Sequence, residues 1–217
     1  NYIKNISNPD VVIVRFDKIT FPTSNHKLIS SNNKNNNSSI RLINYVTKSK
    51  FPFADCWFFV PNRKFLLKNK ILFPKIRFGE SELFVVKLVT LMKSFDCMKF
   101  PFYDKRDRDS SLNHSKDYSA TLSTLTLILD FCTFLNKYKL SKIKKDFAMS
   151  YIQDALGIFT SLLILRTDSE LKKLSNIMNK ELKNLNFLKK MPENLSLLDF
   201  LKKKNSHLSL LDFRDKI

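Results

Sequence analysis

An α+β fold is predicted, with a β-rich N-terminal half of short mixed or antiparallel strands followed by an α-helical C-terminal half. Three observations predict it. Between residues 10 and 99 the apolar runs are short, rich in β-branched and aromatic residues, and broken by Pro52, Pro61, Pro74 and Gly79, which is the pattern of strands bounded by turn residues. From Ser119 onward the apolar stretches lengthen and take up three- and four-residue spacings, the period of a helix. Between the two lies Phe100–Tyr118, charged in both signs and poor in aliphatics, which reads as a surface loop. The domain reading is therefore a β-rich basic and aromatic region over 1–100, a charged surface loop over 101–118, and a helical region over 119–217.

Taken in order, Asp10–Phe21 (DVVIVRFDKITF) is a strand candidate, and Ser24–Ser39 is an Asn-rich insertion with almost nothing to bury. The runs FADCWFFV, KFLLKNKILF and ELFVVKLVTLM are expected as strands, the second folding as a hairpin around Lys68-Asn69-Lys70. Two long apolar helices are expected over Ser119–Asn136 and Asp146–Leu165, joined by the basic connection KYKLSKIKK. Thr167–Lys190 is amphipathic, with Leu171, Leu174, Met178, Leu182, Leu185 and Leu188 on one stripe. Thr167 and Glu170 have the spacing of a capping box, in which each side chain satisfies the other's backbone N–H. The hexapeptide LSLLDF occurs at 195–200 and again at 208–213. In both copies Ser and Asp have capping-box spacing, so two short helix starts are expected there.

The chain carries 38 Lys and Arg against 20 Asp and Glu, a net charge of +18 on 217 residues, with only 2 glycines. Charge of that size attracts polyanions. The glycine deficit removes the loops that cradle small phosphates, since those loops need residues without a Cβ. Abundant Lys, Asn, Phe and Ile with scarce Gly and Ala is the residue usage of an AT-rich gene, such as an organelle's. That bias supplies lysine, but asparagine would fill the same codons without charge. Cys56, Cys97 and Cys132 are far apart, odd in number and flanked by apolar residues. They are expected as free thiols in a reducing compartment and not as metal ligands. Asn1–Pro9 lack the basic-then-apolar order of a secretory signal.

Motifs for nucleotide, zinc or acyl chemistry (Walker loop, GxGxxG, HExxH, GxSxG) do not occur in the chain. His26, His114 and His207 are isolated in sequence. Asp104, Asp107, Asp109 and Asp117 cluster, but a calcium loop starting at Asp107 would need Gly at 112 and Glu at 118, where Leu112 and Tyr118 stand. No cofactor, metal or small-molecule substrate is therefore expected, and no catalysis.

Basic segments carry the functional signal. Arg41, Lys48, Lys50, Arg63, Lys64, Lys68, Lys70, Lys75 and Arg77 are opposed only by Asp55, and Phe51, Phe53, Trp57, Phe58, Phe59, Phe65, Phe73 and Phe78 lie among them. Cations neutralise phosphates, and aromatic faces stack on unpaired bases. Most of these aromatics are expected inside, leaving Lys and Arg outward. A second basic element holds Lys137, Lys139, Lys142, Lys144 and Lys145. Lys202–Lys204 form a third, which a helix end already accounts for. The expectation is a non-catalytic structural RNA-binding protein of a large ribonucleoprotein: a ribosomal protein of the mitochondrial matrix, contacting rRNA phosphates and neighbouring proteins. The alternative is an accessory subunit of a mitochondrial membrane respiratory or ATP synthase complex, because the two apolar helices approach bilayer length and the basic loop between them fits the positive-inside rule. Asp130 and Asp154 argue against it, since a central Asp costs roughly 2.5–3.5 kcal/mol on insertion.

Overall fold

Val11–Arg15 (β1) is apolar at nearly every position, and its Val11, Ile13 and Val14 are buried. A strand covered on both faces belongs in the middle of a sheet, and there it lies. In the computed structural model, which describes residues 9–15, 38–49, 55–101 and 116–182, the sheet order is β2-β1-β3. β2 (Phe59–Pro61) pairs antiparallel to β1 and β3 (Phe95–Pro101) pairs parallel to it. Register is held at the strand entrance by Asp10. Its carboxylate accepts the backbone N–H of Lys93 at 2.7 Å and of Ser94 at 3.2 Å, while its own N–H donates to Ser94 Oγ. The Asp10 carbonyl accepts the N–H of Asn62 just after β2, so one residue ties both outer strands to the central one.

Helices fill the rest. α1 (Ser38–Ser49) precedes a 3-10 turn (Cys56–Phe58), and α2 (Arg63–Asn69) and α3 (Glu80–Leu91) follow β2. α4 (Tyr118–Lys137), α5 (Lys142–Leu163) and α6 (Asp168–Leu182) come after β3. Two compact units result. One takes the described residues up to 74 with 81–101 and 141–147; the other takes 75–80, 116–140 and 148–182. The first holds the sheet with α1, α2 and most of α3. The second is built on α4, α6 and the greater part of α5, and α4 packs directly on α6. In α5 the buried residues Ala148, Ile152, Ala155, Phe159 and Leu162 recur every three or four positions, one apolar stripe.

The N-terminal part thus contains a small mixed sheet, and most of what was expected there as strand is helix. ELFVVKLVTLM forms α3, in which Leu83 to Val86 and Leu88 to Thr90 are all buried. A helix covered almost all round has no polar face to mark its period, and β-branched residues then mimic a strand. KFLLKN belongs to α2, started by Asn62, whose Oδ1 accepts the N–H of Lys64 at 2.9 Å. Lys70 does make the expected turn, but as the left-handed cap of this helix, with φ 53° and its N–H on the carbonyl of Leu67. The described part of FADCWFFV, Asp55 to Val60, passes from the 3-10 turn into the short β2, and Ser38 and Ser39, counted with the Asn-rich insertion, open α1. Residues 16–37, 50–54, 102–115 and 183–217 lie outside the described residues, and with them the second half of the first strand candidate, Lys50, Phe51, Phe53, the three histidines, Lys202–Lys204 and both LSLLDF copies.

The helices between 118 and 182 follow the sequence, except that α5 begins at Lys142, inside the basic segment expected to connect it to α4. The capping box forms: Thr167 N–H donates to Glu170 Oε2 at 2.9 Å and Glu170 N–H donates to Thr167 Oγ1 at 3.3 Å. The Thr167 N–H is the chief reason the Glu170 carboxyl titrates below its ordinary 4.5. Desolvation opposes the shift, and the Thr167 hydroxyl, Arg166 and Lys173 add to it. A depressed carboxyl contributes stability that is complete above the ordinary value and is lost as pH falls through the lowered one. In an acid titration followed by circular dichroism, the wild-type chain is expected to lose α6 helicity in a step below pH 4.5 that Glu170→Gln lacks.

Backbone strain and backbone freedom are misplaced at two positions. Gly157 lies inside α5, and a Cβ built on it meets nothing within 4 Å; Lys70 holds a left-handed conformation that glycine adopts without penalty. Gly157→Ala is expected to raise stability by about 1 kcal/mol and Lys70→Gly by roughly 0.5–1 kcal/mol, each read from the denaturation midpoint.

Candidate nucleic-acid interface

At 100° per residue, the seven positions of α2 sort into two sides. Arg63, Lys64, Leu67 and Lys68 fall on one and are all exposed; Phe65, Leu66 and Asn69 fall on the other. Phe65 is buried, and Asn69 Nδ2 donates to the Phe65 carbonyl at 2.9 Å. The inner side fixes the helix to the first unit, so the outer side presents three cations around Leu67, with exposed Lys70 at the cap. Among the described residues, none of these four cationic heads makes a hydrogen bond or an ion pair. No Asp or Glu occurs from Cys56 to Gly79. Fixed, solvated and uncompensated positive charge is what phosphate contact requires.

The other expected contact residues are dispersed. Arg41 is exposed on α1, Lys48 belongs to the same helix, and Lys50 lies outside the described residues. Exposed Lys75 and Arg77 belong to the second unit. There Arg77 pairs with Asp117 at 3.7 Å and lies 5.3 Å from the Phe78 ring centroid, and its N–H donates to Ser123 Oγ. An exposed pair of this kind is worth about 0–1 kcal/mol and leaves the guanidinium open to phosphate. Asp117 also caps α4 by accepting the N–H of Ala120 at 2.9 Å. Lys137 and Lys139 are exposed at the end of α4, Lys137 resting over the Tyr138 ring at 5.6 Å. Lys142 is exposed and Lys145 half-buried in the first turns of α5.

Lys144 has a structural task that the sequence does not reveal. Its Nζ donates to the Thr90 carbonyl at 2.7 Å, closing the carboxyl end of α3 within the first unit, and burial pushes its pKa down. A cation there offsets the helix dipole as well as an orphan carbonyl. Lys144→Ala is expected to cost about 1.5–3 kcal/mol, the range of hydrogen bonds to charged groups, in equilibrium denaturation. Arg166 works similarly in the second unit, donating to the carbonyls of Lys116 and Leu162 and pairing with Glu170 at 3.8 Å. Neither residue type nor spacing distinguishes these two cations from solvated ones; only the acceptors brought to them do.

Of the aromatics among the cations, Phe58, Phe59 and Phe65 are buried, whereas Phe73 is 49% exposed. Phe73 was not separable from the rest by sequence except through Pro74, which follows it and breaks the local periodicity. Cys132 is buried, and burial pushes its thiol up to about 12, so it is inert as a nucleophile. Among the described residues, no group of three or more His, Cys, Asp or Glu could hold a metal ion. α4 is long and apolar enough to cross a membrane by length and composition, though most of it is buried within the protein. Compared with protein-family models, curated proteins and solved structures, the chain matches none.

Proposed function

We propose that the chain is a non-catalytic RNA-binding protein of a large ribonucleoprotein, a ribosomal protein of the mitochondrial matrix that neutralises rRNA phosphates and packs against neighbouring proteins. The observation that carries the proposal is the outer side of α2, where Arg63, Lys64 and Lys68 stand exposed and unpaired among the described residues in a chain of net charge +18. Small charged ligands need converging donors in a concave site; a convex helix side with cations spread along it suits an extended polyanion. Exposed Arg41, Lys75, Arg77, Lys137, Lys139 and Lys142, with half-buried Lys145, supply further phosphate contacts. AT-rich residue usage supports the organellar assignment.

Sedimentation of the native protein from mitochondria, with and without RNase and at low and high salt, tests this reading. Co-sedimentation with large particles that RNase abolishes supports it. Release by detergent alone, indifferent to RNase, overturns it in favour of a membrane-complex subunit with α4 in the bilayer.

A further inference from the structure

Phe73 and Phe84 are stacked face to face, with ring centroids 4.0 Å apart and planes 3° from parallel. Phe84 is buried on α3, while Phe73 is 49% exposed. With its inner face covered by Phe84, the surface that Phe73 shows to water comes from its outer face and edge. The ring is also held in place. Ile71, two residues earlier, is buried, and its N–H donates to the Leu66 carbonyl at 3.0 Å; Pro74 restricts the Phe73 backbone to extended geometry. A flat, anchored ring with one free face is a rigid stacking surface that needs no rearrangement to receive another ring. All of this belongs to the first unit, as do the cations of α2.

Resting on the RNA-binding reading above, we propose that Phe73 is a stacking shelf for an unpaired nucleobase, with Arg63, Lys64, Lys68 and Lys70 receiving the phosphates of the same strand. Charge complementarity favours this occupant over an apolar protein surface: the chain from Cys56 to Gly79 has no acid to neutralise those cations, and burying them unpaired under a protein partner would be costly. A nucleic acid strand brings its own anions and a π-face together. The base extends the Phe84–Phe73 stack by one ring. Stacking is indifferent to base identity, so the shelf distinguishes unpaired from paired RNA and not one sequence from another.

The test uses the full chain and three probes: a single-stranded RNA 12-mer, the same 12-mer in a duplex, and a 12-mer with abasic sites. Phe73→Ala is expected to lose roughly 5- to 100-fold in affinity for the single strand, with no change for the duplex or abasic probe and no change in salt dependence. Phe73→Trp in a Trp57→Phe background restores affinity, and its fluorescence is quenched by the single strand and not by the abasic probe. This second readout stands even where the alanine variant folds poorly. Salt-dependent wild-type binding with Phe73→Ala equal to wild type and no quenching refutes the shelf alone, and makes Phe73 a protein contact. Failure of the wild-type chain to bind any of the probes refutes the RNA reading and the shelf together.

Discussion

Phe131→Ala is expected to unfold the helical unit or leave it on the edge of unfolding. Phe131 lies near the middle of α4 and is wholly excluded from water. Its removal costs the transfer free energy of an aromatic ring and leaves a cavity, together about 3–5 kcal/mol. Domains have only about 5–15 kcal/mol in hand, so the substitution takes a large share. Neighbouring Leu127, Ile128, Leu135 and Cys132 are also buried, and a helix packed this closely cannot collapse into the hole. Thermal melts by circular dichroism would show a drop on the order of 10 °C or more, since 1 kcal/mol moves the midpoint of a unit this size by about 4–8 °C. The same experiment separates the two environments open to α4. A lipid-facing Phe131 would be replaced with little loss, and the protein would need detergent; a melt unchanged in aqueous buffer would contradict the burial described here.

Neutralising the outer side of α2 has the largest expected effect on binding. Arg63→Ala, Lys64→Ala and Lys68→Ala combined with Lys70→Gly remove four charges that no described residue compensates. At about 0.7 released counterions per phosphate contact on single strands, the slope of log affinity against log salt should fall by about 3, and affinity near physiological salt by roughly 100-fold. Folding should survive, because these side chains are exposed and glycine suits the left-handed position. Lys144→Ala supplies the contrast, with stability reduced and the salt slope nearly unchanged. Filter binding across a salt series reads both. An unaltered slope in the fourfold variant would remove α2 from the interface.

The helices between 118 and 182 were legible because their signals are local. The Thr167–Glu170 box and the leucine stripe of α6 each lie within a few residues, and the hydrogen bonds they foretell are present. The N-terminal half was legible only at β1. α3 hides its period because it is buried all round, and α2 is seven residues long, hardly two turns. β3 contains Asp96 and Lys99 among apolar residues and is a strand because β1 and the Asp10 carboxylate hold it, a contact made across 83 residues of sequence. Of the candidate contact residues, α2 gathers Arg63, Lys64, Lys68 and Lys70. Lys144 looks like its neighbours in sequence and differs because Thr90 meets it, and Phe73 looks like the other phenylalanines and differs because Phe84 covers one face while about half of its surface stays exposed among the described residues.

The two units interleave along the chain, and the first is complete only with residues 141–147. During synthesis its central strand emerges early and must wait for β2, then β3, and finally for the lysine that closes α3. At ~5–20 residues per second, the wait of β1 for β3 is on the order of ten seconds, with Val11, Ile13 and Val14 lacking a sheet neighbour until β3 is made. The helical unit is interleaved in the same way, since its segment at 75–80 precedes most of it. The first unit can therefore close only once residues 141–147 have been made, and the helical unit only after 148–182 have followed. A chaperone occupying the early segment during that interval would protect the exposed strand until its partners are made.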